Sequence, residues 1–499
     1  MTVKSAMKSY RAVLAKLNAL SYMNSVVYYD ATTAAPVRGA ERRGAAFEYI
    51  SAESYRLSTS HRMKDALAFL TEHTDELTPV ERREIELRNR ENEYISSIPA
   101  DEYVAYSGLL NTADSVWHKA KAENDFAAFL PYLTDIFDCS RKFAGYYKPD
   151  TAPYDVCLGQ YERGLTTDSA DRFFGLLRER LVPLIHKISE KAQPDNSFLH
   201  KDYPLHLQRE FSDRIMELMA IDRERCAIGE TEHPYTINMC RDDVRITTNY
   251  KENAVESSMF SVIHEGGHAI YELGSGKEYE GTPLAGGVSM GIHESQSRLY
   301  ENMIGRSRAF IGLLFPVMKE LFPSQLDGVC ADDMYLAVNR SEPSLIRTEA
   351  DELTYPLHIM IRYEIERGVM EDKYAVAELP SVWNSKYKEY LGIDVPDDTH
   401  GVLQDSHWSM GSVGYFPSYA LGSAYAAQFM HVMQGEFDVD ASIRSGSLSQ
   451  INDWLDDRIH RHGCRFDPSE LIGMVCGESF NPDYYVDYLT GKYSEIYGI

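Results

Sequence analysis

The sequence is poor in cysteine and has no pair of cysteines spaced for a metal or redox site. Seven cysteines are scattered through 499 residues, and none belongs to a Cys-x-x-Cys motif. An odd, scattered set is typical of reduced thiols and unlike the framework of a disulfide-bonded secreted domain. We therefore expect free thiols and a cytoplasmic location.

Long apolar runs and an excess of basic residues are also missing. No stretch approaches the roughly 18 apolar residues of a membrane-spanning helix, and the N-terminus lacks the apolar core of a signal peptide. Lys and Arg number 50 against 76 Asp and Glu, a net charge of −26. Because such a chain repels phosphate backbones, we expect no nucleic-acid partner. The lack of long apolar runs predicts that the protein has no membrane partner either.

Clear strand patterns are scarce before residue 235, and helical periodicity dominates the sequence. The composition predicts a break in the helical structure at residues 28–36. Pro356 is expected to kink the predicted helix of residues 344–367. The predicted helices cover 6–21, 40–57, 60–90, 101–123, 126–147, 169–192, 253–273, 293–304 and 344–367.

Polar and apolar residues alternate at 235–239 and at 243–248, which predicts a small β-sheet. This sheet directly precedes the helix that carries the chemistry described next. No internal repeat, low-complexity tract or linker interrupts the chain. We predict one continuous, mainly α domain over residues 1–499.

The stretch His264-Glu265-Gly266-Gly267-His268 carries the clearest chemistry. Histidines four apart lie on one face of a helix, so both rings can bind one Zn²⁺. Glu265 can then take a proton from a water molecule at the metal without being a ligand itself. Each glycine costs about 1 kcal/mol in a helix interior relative to Ala. That cost predicts close approach of a neighbouring helix or a substrate backbone.

A catalytic zinc site needs a third protein ligand and leaves one position open. Glu294 follows His268 by 26 residues, which is enough for a loop and the first turn of another helix. Glu272, one turn beyond His268, is better placed to orient a ligand histidine. Spacing alone leaves other carboxylates in competition for the third position: Glu278, Glu280 and Glu301.

Five motifs follow one another over about 165 residues: Asp-Val-Arg-Ile-Thr at 243–247, His-Glu-Gly-Gly-His at 264–268, His-Glu-Ser-Gln at 293–296, Ile-Arg-Thr-Glu-Ala-Asp at 346–351 and Gly-Val-Leu-Gln-Asp-Ser-His-Trp at 401–408. In content and order they resemble the carboxypeptidase Taq family of metallocarboxypeptidases, and weaker similarity runs nearly end to end. Two elements depart from the family pattern. Tyr29-Asp30 replaces Trp-Asp, and His233-Pro234-Tyr235 replaces His-Pro-Phe.

The resemblance implies an almost entirely helical fold with two lobes around a deep central groove, commonly assembled as a homodimer. It implies His264, His268 and Glu294 as metal ligands and Glu265 as the general base. The implied metal is zinc, and some members accept or prefer cobalt. The implied reaction removes single residues from the C-termini of peptides, so the expected partners are peptides with a free C-terminus.

An exopeptidase has to recognise the terminal carboxylate, and the planar fork of an arginine suits this task. We predict that Arg347 does so, with Asp351 four residues on along the same predicted helix to hold its side chain. Arg245 is the alternative. His233 and His293 are further candidates for substrate contact.

The oxyanion that develops during hydrolysis needs a donor besides the metal. By resemblance to helical zinc peptidases, we predict the phenol of Tyr419 as that donor, with Tyr415 as the second choice. The alternative is that both are packing residues in a chain with 34 tyrosines. His407 and Asp405 are expected either to line the substrate site or to hold in place the residues that do.

Two other functions remain open at this point. One is an endo-oligopeptidase on the same helical zinc scaffold. The other is a catalytically silent, metal-stabilised binding protein. The intact Glu265 argues against the silent protein, because a purely structural metal site has no need of a base.

Overall fold

The computed structural model describes all 499 residues, and the predicted mainly α fold is confirmed. None of the helices combines the length and apolarity that crossing a bilayer requires. All seven cysteines are free. The helices are α1 Val3–Thr33, α2 Ala40–Ser58, α3 His61–Glu72, α4 Pro79–Ser97, α5 Ala100–Glu123, α6 Phe126–Tyr147, α7 Pro153–Tyr161, α8 Thr167–Ser189, α9 Leu205–Leu218, α10 Val255–Gly274, α11 Met290–Arg298, α12 Arg308–Leu321, α13 Ala331–Val338, α14 Tyr355–Met370, α15 Leu379–Leu391, α16 Pro417–Glu436, α17 Val439–Arg444, α18 Ser449–Arg458, α19 Pro468–Cys476 and α20 Asp483–Tyr497.

One small sheet contains the strands β1 Cys226–Glu230, β2 Thr236–Cys240 and β3 Asp243–Thr248, in the order β1-β3-β2. β1 is parallel to β3 and β2 is antiparallel to it. On one face, Ile246 is fully buried and its partner Thr236 bonds to α10. On the other face, Arg245 lies over the ring of Tyr29 in α1. The sheet is therefore held between α10 and α1.

The molecule has two separate hydrophobic cores. The larger contains 102 buried residues between positions 113 and 497, and the smaller contains 13 residues from α1 to α4. Polar contacts join the first helices to the sheet: the Tyr22 hydroxyl donates to Asp243 Oδ2 at 2.8 Å. Helices α1 to α4 thus form a layer with its own core, packed against the sheet.

The ends of α10 explain how this helix is fixed. Its last turn contains no basic residue, although positive charge there would stabilise the negative end of the helix dipole. Residues that flank the strands supply that charge: Arg225, just before β1, donates to the carbonyl of Leu273 at 2.8 Å, and Arg241, between β2 and β3, donates to that of Ser275 at 2.7 Å. The sheet therefore caps the helix that carries both histidines.

Two sequence predictions about elements were wrong, and one strand was missed. Residues 344–367 do not form one kinked helix, because α14 begins at Tyr355 and Pro356 occupies its first turn, where no amide donor is needed. Arg347 lies in a short 3₁₀ turn before it. The predicted break at 28–36 comes too early, since α1 continues to Thr33. Strand β1 was not predicted, because its five residues show little alternation.

The two glycines of α10 allow the close approach that the sequence predicted. A Cβ on Gly267 would lie 2.8 Å from the carbonyl oxygen of Gln296 and 2.8 Å from the Cα of Ser297. A Cβ on Gly266 would lie 2.8 Å from the side chain of Met219. The backbone of α11 therefore packs directly on α10.

We expect Gly267→Ala to destabilise the protein by about 1–3 kcal/mol, because the added methyl group meets backbone that cannot move aside. Gly312→Ala in α12 is the matched control: nothing lies within 4 Å of its Cβ position, so gain of helix propensity should stabilise slightly. Chemical denaturation measures both. Equal stability of the Gly267 variant and the wild type would contradict the tight packing.

Candidate metal centre and active site

His264, His268 and Glu294 converge at one point. One ligand atom from each lies within 4.8 Å of the others. Glu294 Oε2 is 3.5 Å from His268 Nε2 and 3.9 Å from His264 Nε2. Tetrahedral coordination with bonds of 2.0–2.1 Å places ligand atoms about 3.4 Å apart. The three side chains therefore fit a single divalent cation.

The outer nitrogen of His264 is held by a carboxylate. Its Nδ1 lies 2.8 Å from Glu301 Oε2, so a proton on Nδ1 leaves Nε2 free for the cation. Glu301 lies seven residues beyond Glu294, in a π-helical segment, Leu299–Ile304, that continues α11. Arg298 and Arg306 also contact Glu301. Glu301 was a competitor for the third ligand position. It instead contacts the ring nitrogen of His264 that faces away from the metal position.

His268 is oriented by a longer chain. Its Nδ1 is 2.6 Å from His293 Nδ1, and His293 Nε2 is 2.7 Å from Glu272 Oε1. Asn238 of β2 donates to the other oxygen of Glu272. If His268 donates to His293 and His293 donates to Glu272, every proton has an acceptor and His268 Nε2 is left for the cation.

Glu294 is bound so that one oxygen faces the histidines. Its Oε1 accepts from Arg298 Nε at 2.7 Å, which leaves Oε2 toward the rings. Burial opposes ionisation, but the Arg298 guanidinium and the two histidines outweigh it and hold the pKa of Glu294 well below its usual range. Burial lowers the pKa of His268 to about 4. Anionic carboxylate and neutral imidazole are the forms that bind a metal.

Glu265 points into the same site without joining the ligands. Its Oε2 accepts from the Thr236 hydroxyl at 2.6 Å. Burial raises the pKa of Glu265 above its usual range. A carboxylate anchored through one oxygen and inclined to take up a proton suits a general base.

We expect Glu301→Gln to weaken metal affinity about 10–100-fold, because the amide no longer offers a charged acceptor to His264. The dissociation constant is measured by competition with a chelator. Glu320→Gln in α12 is the control, since Glu320 is exposed there. Unchanged affinity in the Glu301 variant would mean that this carboxylate does not orient His264.

The predicted oxyanion donors lie together at the start of α16. The Tyr419 hydroxyl is 3.1 Å from His407 Nε2, and the Tyr415 ring packs edge-on against Tyr419 at 5.1 Å between centroids. Burial lowers the pKa of His407 to about 4 and raises that of Tyr415 to about 12. Burial also raises the pKa of Tyr419. His407 is therefore neutral and both phenols keep their protons at neutral pH.

Arg347 lies beside Tyr419 in a buried polar cluster. Its guanidinium carbon is 5.1 Å from the centre of the Tyr419 ring, and its Nη1 donates to Tyr355 Oη at 3.2 Å. The Tyr355 ring in turn lies 4.4 Å from the guanidinium carbon of Arg298, which binds Glu294. Arg347 is therefore linked to the metal triad through two residues.

The partner predicted for Arg347 was wrong. Asp351 does not hold it, because residues 347–351 do not form an α-helix and Asp351 instead accepts from the Thr354 hydroxyl and amide. Arg347 pairs with Asp405, through Nε at 2.9 Å and Nη2 at 2.8 Å.

The remaining candidates have other partners or lie on the surface. Both ring nitrogens of His293 are engaged by His268 and Glu272. Arg245 is bound to Asp243 on the face of the sheet opposite α10. His233 is exposed in the loop between β1 and β2. Substrate contact by His293 and His233 stays a prediction.

Sequence reasoning missed two residues of the site, Arg298 and Arg362. Arg298 could have been found, because it follows Glu294 by one helical turn and therefore shares its face. Arg362 gave no local signal, since its partner Asp405 lies 43 residues further along the chain.

Comparisons with known proteins agree with this geometry. The family model for carboxypeptidase Taq (M32) metallopeptidase matches residues 9–493. Carboxypeptidase 1 of Bacillus subtilis is 39% identical over 100% of both chains, and thermostable carboxypeptidase 1 of Thermus thermophilus is 35% identical over 96% of both.

Solved structures give the same answer. The M32 carboxypeptidase of Deinococcus radiodurans superposes with a TM-score of 0.96 at 34% identity, covering 99% of this chain and 100% of that one. Metallocarboxypeptidase 1 of Trypanosoma cruzi gives a TM-score of 0.93 at 32% identity, covering 99% and 100%. The chain therefore belongs to the carboxypeptidase Taq (M32) family of metallocarboxypeptidases.

Proposed function

We propose that this protein is a zinc-dependent carboxypeptidase that removes single residues from the C-termini of peptides, with Glu265 as general base. One observation carries the proposal: an arginine with unused donors is linked through Tyr355 and Arg298 to a His-His-Glu triad. The triad suits hydrolysis, and the arginine suits recognition of a terminal carboxylate. An enzyme that cuts within a peptide needs only the triad.

The donors of Arg347 support its role. A guanidinium has five N–H groups, and those of Arg347 bind only Asp405 and the Tyr355 hydroxyl. One N–H group on each terminal nitrogen is left over. Two such N–H groups are donors for the carboxylate of a substrate.

The proposed chemistry is divided among three side chains. His264, His268 and Glu294 would hold a divalent cation, which would supply Lewis acidity to the scissile carbonyl and to the attacking water. Glu265 takes the proton of the attacking water and passes it to the leaving amine, while Thr236 fixes its carboxylate. The phenol of Tyr419, or of Tyr415, donates to the developing oxyanion. Arg347 holds the substrate's terminal carboxylate.

The test is digestion of one unblocked peptide, with and without a chelator, followed by mass spectrometry. We expect a ladder that shortens from the C-terminus one residue at a time, and no cleavage once the metal is removed. The same peptide with an amidated C-terminus should be spared. Internal fragments from the amidated peptide would support the endo-oligopeptidase instead. If neither peptide is cleaved, the catalytically silent, metal-stabilised binding protein becomes the favoured hypothesis.

The identity of the metal and the assembly of the protein are also part of this proposal. Two histidine nitrogens and a carboxylate oxygen favour zinc, although such a set also accepts cobalt. The single domain with two lobes around a groove, the homodimer and the cytoplasmic location remain predictions from the resemblance and the composition.

A further inference from the structure

Asp405 is shared by two buried arginines. Its Oδ1 accepts from Arg347, and its Oδ2 accepts from Arg362 Nε at 2.6 Å. No other carboxylate lies within salt-bridge distance of either guanidinium. One carboxylate therefore faces two guanidinium groups, which leaves one positive charge unbalanced.

The neighbouring titratable groups do not balance this charge. His358 and His407 are neutral, because burial lowers the pKa of both, to about 4 for His407. Glu366, one turn beyond Arg362 on α14, is occupied by the Trp408 indole, the Tyr154 hydroxyl and the Gly414 amide. Burial raises the pKa of Glu366 to about 7, so it is only partly charged at neutral pH.

The two arginines differ in what they can still bind. The Arg362 side chain is 1% exposed and that of Arg347 is 8% exposed. Besides Asp405, Arg362 donates to Gln404 Oε1, the carbonyl of His358 and the Tyr387 hydroxyl, so all of its N–H groups are used. The unbalanced charge is therefore available to a ligand only at Arg347.

We propose that Arg362 is a positioning residue for substrate: by occupying half of Asp405, it keeps that carboxylate from neutralising Arg347. The pocket then retains a full positive charge for the terminal carboxylate of the peptide. Without Arg362, Asp405 and Arg347 would form a neutral pair with little attraction for an anion. The inference rests on the proposed role of Arg347 and extends it to a residue that never touches substrate.

The test compares Arg362→Met with Arg362→Lys. Steady-state kinetics use a peptide with a free C-terminus. A second readout is the inhibition constant of N-acetyl-alanine, whose only charged group is its carboxylate. The Met variant should raise KM and the inhibition constant about tenfold or more, with kcat within threefold of the wild type. The Lys variant keeps the charge and should recover most of the affinity. Metal content should stay unchanged in both.

Controls separate this inference from the proposed function. Arg367 lies on the same helix as Arg362, is half-buried, and pairs with Asp171 and Glu371. Arg367→Met should change neither KM nor the inhibition constant. If Arg347→Met raises KM but Arg362→Met does not, the inference fails while the proposed function stands. If Arg347→Met also has no effect, recognition by Arg347 itself is refuted.

Two further outcomes are informative. Equal loss of affinity in the Met and Lys variants would mean that packing rather than charge matters, and would overturn the inference. If the Met variant does not fold, as judged by circular dichroism, Arg362→Gln replaces it. Gln is neutral but can still bond to Asp405, so the same tenfold rise is expected.

Discussion

Glu265→Gln should reduce kcat by about 10³-fold or more while the protein still binds its metal. The amide can accept a hydrogen bond from Thr236 in place of the carboxylate, so the local structure should survive. It cannot take a proton from water at neutral pH, and general acid–base catalysis typically contributes 10²–10⁴-fold. Turnover of the unblocked peptide and metal content are the two measurements.

The control is Glu256→Gln, on the first turn of the same helix, which should leave turnover unchanged. A Glu265 variant with kcat within tenfold of the wild type would remove this residue from its assigned role. Loss of the metal in that variant would mean that Glu265 is a ligand, which contradicts the assignment of the triad.

Glu294→Ala should lower metal affinity by more than about 100-fold and abolish hydrolysis at ordinary metal concentrations. Two imidazoles remain, but the only anionic ligand is lost, and Arg298 keeps Glu301 as its sole partner in the cluster. This effect should exceed that of Glu301→Gln, because removal of a ligand costs more than removal of the group that orients one.

Metal affinity is measured by competition with a chelator and by the rise in melting temperature when metal is added. The wild type should show a clear rise, and the Glu294 variant should show little at the same concentration. A wild-type shift in the variant would mean that a different group completes the site. Excess metal provides the control, since it should restore some activity to a variant that is otherwise folded.

The sequence indicated the metal centre well because its signals are local. Two histidines four apart share a helix face whatever the rest of the chain does. Spacing made Glu294 one of several candidates for the third ligand, and the resemblance to the carboxypeptidase Taq family singled it out. Gly267 indicated a close contact with a neighbouring element. The sheet was indicated by alternation in β2 and β3.

The substrate side of the site was harder to predict because its partners are far apart in the chain. Arg347 and Asp405 are 58 residues apart, so a local pattern offered Asp351 instead. The error depended on Pro356, which was interpreted as a kink within a helix although it begins one. The chain from His268 through His293 to Glu272 likewise depends on how α11 packs on α10.

That chain and the contact between His264 and Glu301 have a consequence for how the enzyme acquires its ion. The rings of both ligand histidines are held by neighbours that belong to the protein alone, so binding of the ion requires little loss of conformational freedom. Small zinc modules, in contrast, fold only when their ion arrives. Here the large hydrophobic core around α10 holds the three ligand residues in place without the ion. Stripping the ion should therefore yield a folded apoprotein that regains activity when the ion is returned.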